Sequence, residues 1–528
     1  RDNMSKLKKS SKLVLIVIAV AALTFFAVRI YDSLNMSPLQ RWHKHVPVEL
    51  SIGEMDAGDW ASFLKAEERI FRTLRTEVTD QLPPEAKTPF NRYFEGSIVY
   101  PPNFAQDWNR SYVLEPSGKP VGSVVLLHGL TDSPYSLRHI ARRYAAAGFA
   151  VVAIRLPGHG TVPAGLSDVR WEEWMAATRL AVREAKRLGG QDAPLHLVGF
   201  SNGGALAVKY ALDAMENPKL APPDRLILLS PMIGITRFAR LTGIAGLPAV
   251  LPSFAKAAWL SIVPEFNPFK YNSFPVNGGR QSFRLTQALQ EQIAANAKKD
   301  GLKRMPPILT FQSILDFTVS TRAVISSLYA HLQENGSELV LFDVNRSIKV
   351  GPLLRRTAEG ALARTMPELP QPYRITIIGN EPAQPGETFA HIIDAGATAP
   401  RIVALNIRYP QDVFSMSHVS IPFPLDDPLY GLRPDSSRED FGVELGTLAP
   451  RGERGALVVT MEFLSRIASN PFFPFLIERI EAGIQDPRPG IPAAAPGPAK
   501  RYGKTQQPDK DEIETYMADL TTETQATP

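Results

Sequence analysis

The sequence predicts an α/β fold, a mainly parallel sheet with helices on both faces. Three observations predict it. Short apolar runs at 122–127, 149–155, 194–198, 225–230 and 308–311 have the length of buried strands. Between them lie stretches of helical periodicity with start and stop signals, and such alternation is the pattern of parallel strands joined by helical crossovers. The third observation is the pentapeptide Gly199-Phe200-Ser201-Asn202-Gly203, wedged between a strand-like and a helix-like run. There it predicts a sharp strand-to-helix turn that raises a serine hydroxyl above the sheet edge.

The chain has 528 residues, a formal charge of +5 and no cysteine. The length suits one large domain with insertions or two to three ordinary ones. Absence of cysteine excludes disulfides, thiol catalysis and thiolate metal sites. With no basic block beyond the amino terminus, nucleic acid is a poor partner.

Met4 reads as the natural start. Lys6, Lys8, Lys9 and Lys12 precede an uncharged run over 13–28, closed by Arg29, Ile30 and Tyr31. As a helix it reaches about 24 Å, slightly short of a hydrocarbon core of about 30 Å. Snorkelling lysine and arginine side chains and an interfacial Tyr31 make up the difference. A cleaved signal peptide is the alternative, but Phe25 and Phe26 before Ala27 leave no small-x-small cleavage site. The expectation is a single-pass anchor over 13–31 in a cytoplasmic membrane, with 1–12 in the cytoplasm and the bulk of the chain on the periplasmic side.

Segment 32–91 reads as a linker with one amphipathic helix, capped by Asp59 and running from Trp60 to about Gln81. A catalytic domain is expected over 92–483. In it, Ser133-Pro134 opens and Gly148 closes one helix, Asp168 starts a second that ends at Gly189-Gly190, and Gly204 begins a third. From 231 to 307 the alternation stops, and Phe238, Leu241, Leu247, Leu251, Phe254, Trp259, Phe266, Phe269 and Phe274 lie among prolines and small residues. This is read as a helical cap inserted over the active edge; the rival is a packing subdomain without substrate role. A helix is expected over 321–332 and a strand over 339–344. Segment 346–400 is read as an extra insertion, with strand candidates at 375–378 and, just past it, at 402–407. A last helix is expected over 457–482, and 484–528 reads as a disordered tail.

A serine nucleophile needs a base, oriented by a carboxylate, and in such sheets the chain order is serine, acid, histidine. Asp316, just past the run 308–311, fits the acid better than Asp343 or Asp394. Of the histidines after it, His331 falls in a helix, and His418 in a loop fits better than His391. The expected triad is Ser201, Asp316 and His418. The expected oxyanion donors are the backbone amides of Asn202 and of Leu130, in the loop His128-Gly129-Leu130-Thr131-Asp132.

His128-Gly129, Leu156-Pro157-Gly158-His159-Gly160, Trp171 with Trp174, and Gly199–Gly203 together resemble the α/β-hydrolase superfamily, in its monoacylglycerol lipase and carboxylesterase branch. The resemblance covers about 111–345 and the His418 loop. It implies ester hydrolysis through an acyl-enzyme, no metal or cofactor, and a structural role for His159. The hundred-residue gap between Asp316 and His418, and the polar Asn202, depart from the family pattern. The expected substrate is an acyl or otherwise lipophilic ester. Acyl transfer by the same triad, or a silent scaffold of an envelope complex, are the rival readings.

Overall fold

The computed structural model describes residues 2–234, 249, 252–346, 360–380, 386–410, 413–446 and 469–486. Their centre is a ten-stranded sheet. Its strands are β1 (Tyr112–Leu114), β2 (Gly122–Leu127), β3 (Phe149–Ile154), β4 (Leu195–Phe200), β5 (Arg225–Leu229), β8 (Ile308–Ser313), β9 (Glu338–Phe342), β10 (Arg374–Gly379), β11 (Glu387–Ile393) and β12 (Arg401–Arg408). A separate ribbon pairs β6 (Trp259–Ser261) with β7 (Phe274–Pro275). The sheet order is β1-β3-β2-β4-β5-β8-β9-β10-β11-β12. From β3 to β10 every neighbour is parallel; β1 pairs antiparallel with β3 at one edge, and near the other β11 pairs antiparallel with both β10 and the edge strand β12. The strands β2, β3, β4, β5, β8 and β9 are buried along their whole length, as a sheet covered on both faces requires.

The helices used below are α1 (Asp2–Asn35), α2 (Ile52–Ala57), α3 (Trp60–Leu74), α4 (Arg138–Ala146), α5 (Trp171–Gly189), α6 (Asn202–Glu216), α7 (Val276–Asp300) and α8 (Phe473–Gln485). On one face, Val125, Leu127 and Val152 share a core with Trp174, Leu206 and Leu289 of α5, α6 and α7. On the other, Val124, Leu126 and Val151 pack with Ile140 and Tyr144 of α4 and with Leu476 and Ile480 of α8.

Several expectations shift. Arg170 rather than Asp168 caps α5; its backbone N–H donates to the Glu173 carboxylate at 3.1 Å, while Asp168 closes the turn Pro163–Ser167. The helix α6 begins at Asn202, two residues before Gly204. Asp59 does cap α3, but the α-helix ends at Leu74 and continues as one π turn, Arg75–Thr79. The helix expected over 321–332 is instead three short turns of different pitch, Thr321–Ala323, Val324–Leu328 and Tyr329–His331. Tyr329, whose hydroxyl donates to the Glu338 carbonyl at 2.7 Å, ties the last of them to the sheet.

The described part of the expected insertion, 360–380 and 386–400, joins the main sheet: β10 and β11 extend it beyond β9. Of the expected cap, Phe238, Leu241, Leu247 and Leu251 lie outside the described residues; the described part holds the turn Pro252–Ala258, the β6–β7 ribbon and α7. The last helix starts at Phe473, where Pro474 suits a first turn; 457–468 and the tail 487–528 lie outside the described residues.

Segment 32–91 is docked on the domain. Buried Arg155, at the end of β3, donates from Nη1 and Nη2 to the two Glu49 oxygens at 2.8 and 2.9 Å and from Nε to Glu67 at 3.0 Å. The Glu49 carboxylate also accepts the Gly158 amide at 2.8 Å. Both partner carboxylates come from before residue 92, so the core's arginine is satisfied by that segment.

Candidate active site

The turn from β4 into α6 holds Ser201 at φ 53° and ψ −112°, a conformation costly to any residue with a side chain. The surroundings enforce it. A Cβ on Gly203 would overlap the Leu127 carbonyl oxygen, and one on Gly199 would overlap the Gly203 carbonyl. The Ser201 backbone is pinned by its N–H to the Leu229 carbonyl (2.9 Å) and by its carbonyl accepting from Met232 (2.9 Å). Its hydroxyl therefore stands at the carboxyl edge of the sheet.

His418 Nε2 lies 3.0 Å from Ser201 Oγ, and His418 Nδ1 lies 2.7 Å from Asp316 Oδ2. All three residues are buried. Asp316 follows β8 and is fixed from several sides. Its Oδ1 accepts the amides of Thr318 and Val319 at 2.9 Å each, and its Oδ2 accepts from Gln312 Nε2 at 3.1 Å. The imidazole stacks on the Phe200 ring, centroids 5.5 Å apart and planes 28° apart.

His418 comes ten residues after β12 ends, four strands away from β8 in the sheet. The loop returns along the carboxyl edge and is held at β9. The Asn345 amide donates to the Phe414 carbonyl at 3.0 Å, Asn345 Nδ2 to the Val413 carbonyl at 2.9 Å, and the Tyr409 hydroxyl to the Asp343 carbonyl at 3.0 Å.

The loop after β2 lies against the serine: a Cβ on Gly129 would stand 3.4 Å from Ser201 Cβ. Of the two expected oxyanion donors, Leu130 belongs to this loop and Asn202 follows Ser201 directly and opens α6. The side chain of Asn202 is fully buried, and neither its Oδ1 nor its Nδ2 has a hydrogen-bond partner among the described residues. The loop itself is folded around Asp132, whose Oδ2 accepts the Gly129 amide (3.3 Å) and whose Oδ1 accepts the Ser136 hydroxyl (2.7 Å). Burial pushes the Asp132 carboxyl pKa up, opposed by the Lys270 ammonium 3.9 Å away. Lys270 is itself pushed down by burial; its Nζ lies 5.4 Å from the Phe200 and Phe423 ring centroids and 5.5 Å from that of Tyr430.

The other candidates lie elsewhere. His391 sits within β11, opposite Ile377 and Ile402, and Asp394 pairs with Arg374 and Arg401. Asp343 pairs with Arg346, and His331 closes the turn Tyr329–His331. His128 has a bracing geometry: Nδ1 donates to the Gly129 carbonyl (2.9 Å) and Nε2 accepts the Leu156 amide (3.0 Å), with burial lowering its pKa to about 3. His159 Nδ1 donates to the Pro157 carbonyl, which also accepts from Trp174 Nε1, each at 3.0 Å. That shared carbonyl joins the Gly-His-Gly turn to the tryptophan pair. Sequence reasoning missed Gln312, Asp132 and Lys270; only Asp132, adjacent to the expected oxyanion loop, carried a local signal.

Residues 118–343 match the family model described as serine aminopeptidase, S33. That stretch, less than half of the chain, is where the chain is similar to the S33 α/β-hydrolase family. The matched stretch runs from just before β2 to just past β9 and contains Ser201 and Asp316 but not His418. Among curated proteins, the thermostable monoacylglycerol lipase of Bacillus sp. (strain H-257) is 35% identical over 92 residues, 17% of this chain and 35% of that protein. An uncharacterized abhydrolase domain-containing protein of Dictyostelium discoideum is 29% identical over 120 residues, 22% of this chain and 12% of that protein. The chain thus spans about a third or less of the length of these relatives. Solved structures similar to the hydrolase domain include the monoacylglycerol lipase of Paleococcus ferrophilus, at 18% identity and TM-score 0.33, over 48% of this chain and 96% of that one. A soluble variant of the monoglyceride lipase of Saccharomyces cerevisiae is 15% identical with TM-score 0.35, over 44% of this chain and 80% of that one.

Proposed function

We propose that this chain is a membrane-anchored serine hydrolase that cleaves carboxylic esters through a Ser201–His418–Asp316 triad. The observation that carries the reading is the unbroken hydrogen-bond chain from Ser201 Oγ through the imidazole to a carboxylate fixed by two amides and Gln312. Ser201 Oγ attacks the ester carbonyl while His418 Nε2 takes its proton. Asp316 accepts the Nδ1 hydrogen and stabilises the imidazolium. The Leu130 and Asn202 amides stabilise the oxyanion. The tetrahedral intermediate expels the alcohol, protonated by His418, and leaves Ser201 acylated. Water, deprotonated by the same imidazole, then releases the acid and restores the serine.

An ester substrate of lipophilic character is favoured by the name of the Bacillus relative, a monoacylglycerol lipase, and by the aromatic residues of 231–307, read here as a cap. The anchor reading rests on α1, whose stretch Lys12–Asn35 is long and apolar enough to cross a bilayer and is not buried in the protein. Lysines ahead of it favour an amino terminus in the cytoplasm and a catalytic domain on the periplasmic side.

A fluorophosphonate probe tests the chemistry. Wild type should be labelled, Ser201→Ala should not, and absence of labelling on folded wild type refutes the hydrolase reading. Turnover should vanish in His418→Ala and persist in His391→Ala. A panel of esters, peptide amides and acceptor alcohols then decides between ester hydrolysis, peptidase activity and acyl transfer. Reporter fusions after Tyr31 that are active in the cytoplasm would refute the topology.

A further inference from the structure

The end of the apolar helix does not lead into a free tether. Arg29 of α1 donates from Nη2 to the carbonyls of Ala257 (3.2 Å) and Trp259 (3.0 Å). In the opposite direction, Lys256 Nζ donates to the carbonyls of Leu34 (3.4 Å) and Met36 (2.6 Å). Past the helix, His43 Nε2 lies 3.0 Å from the Ser273 hydroxyl, and its ring meets Trp259 edge-on at 4.8 Å. Three ties on either side of Asn35 thus hold the helix exit against the turn Pro252–Ala258 and the β6–β7 ribbon.

These ties fix a depth. Arg29 is the first charged residue after the run 13–28, so it marks the edge of the hydrocarbon. From Arg29 to Asn35 the helix rises about 9 Å. A headgroup layer is about 5–8 Å thick on each side of the core. Residues 257–259 bond to the lower end of that interval and Lys256 to its upper end. We propose that residues 254–261 form a membrane-contact face, seated in the headgroup layer of the bilayer that α1 crosses. The proposal rests on the reading that α1 spans a membrane.

The face is continuous with the candidate site. Residues 262–273 connect β6 to β7, and within them the Tyr271 amide donates to the Thr131 carbonyl at 2.8 Å, in the loop that carries Leu130. Lys270 beside it lies over Phe200, the neighbour of Ser201. About a dozen residues of chain therefore separate a contact with Arg29 from a contact with the oxyanion loop, which ties the face to the site through one short connection.

The chain has no cysteine, so a single introduced one can be labelled without background. Exposed Ala255 and exposed Lys119, between β1 and β2, are each replaced in the full chain (Ala255→Cys, Lys119→Cys), nitroxide-labelled and reconstituted into vesicles of phosphatidylcholine and phosphatidylglycerol. Power-saturation accessibility to oxygen and to a soluble nickel chelate then reports depth. The label at 255 should be several-fold less accessible to nickel than the label at 119, with raised oxygen access. If alkaline carbonate leaves the protein in the vesicles but the two labels are equally aqueous, the proposal is overturned and the anchor stands. If carbonate extracts the protein, the anchor reading fails and the proposal with it. In protein retained by the vesicles, Arg29→Gln with Lys256→Gln should raise nickel access at 255 while leaving labelling by fluorophosphonate intact.

Discussion

The ammonium of Lys270 faces the carboxylate of Asp132 at 3.9 Å, beneath the loop that carries Leu130. Asp132 shapes that loop by accepting the Gly129 amide, yet its negative charge lies close to where an oxyanion would form. Lys270 offsets that charge in a site where burial strengthens electrostatics.

Lys270→Met is accordingly expected to lower kcat about tenfold with KM little changed. Asp132→Asn keeps an oxygen for the Gly129 amide and removes the charge, so adding it to Lys270→Met should restore most of the rate. Steady-state kinetics on a neutral ester check this; additive losses in the double variant would refute the charge-balance role.

Gln312 touches no reacting atom but holds Asp316 Oδ2 and, through the same nitrogen, the Thr321 hydroxyl (3.1 Å). Gln312→Leu should lower kcat about tenfold, leave KM unchanged and slow fluorophosphonate labelling equally. Unchanged labelling kinetics would show that the two backbone amides suffice to position the acid.

Three buried histidines predict acid sensitivity. Burial lowers His43 to about 4 and His128 to about 3, and pushes His159 well below its ordinary value of 6.5. These groups stay neutral in the folded protein but titrate near 6.5 when unfolded. Their contribution is complete above pH 6.5 and is lost as pH falls toward 4 and 3, by up to about 1.4 kcal/mol per pH unit for each. Thermal midpoints in detergent should drop between pH 6.5 and 4, and His128→Gln should flatten the slope by about one proton's worth.

Arg155→Met leaves half-buried Glu49 and buried Glu67 without their cation. A loss of about 3–5 kcal/mol is expected. A falling unfolding midpoint, with proteolysis appearing first before residue 92, is the outcome to look for. Unaltered stability would mean that 32–91 contributes little to holding the domain together.

The central strands were legible because each is an apolar run bounded by turn signals, and the serine because two glycines frame a turn that tolerates nothing larger. The order of Ser201, Asp316 and His418 pointed to residues that do meet in space. The insertion was opaque for a physical reason. The strand β11, with His391 at its middle, lies one strand in from the sheet edge, mixes buried with half-buried residues and lacks the continuous apolar run of β4 or β8. Contacts distant in sequence were unreadable too. Nothing local marks Lys270 as a partner of Asp132, or Glu49 as a partner of Arg155, because both pairings exist only once the chain has folded back.

The detour through β10, β11 and β12 has a consequence in time. A nascent chain that has emerged as far as Asn345 carries the serine, the carboxylate and the strands that hold them, but no base. His418 arrives only after three more strands have joined the sheet and the loop has latched onto Asn345. On the proposed triad, such a chain has no working site until the last part of the hydrolase domain has been made, and is armed only late in its own synthesis.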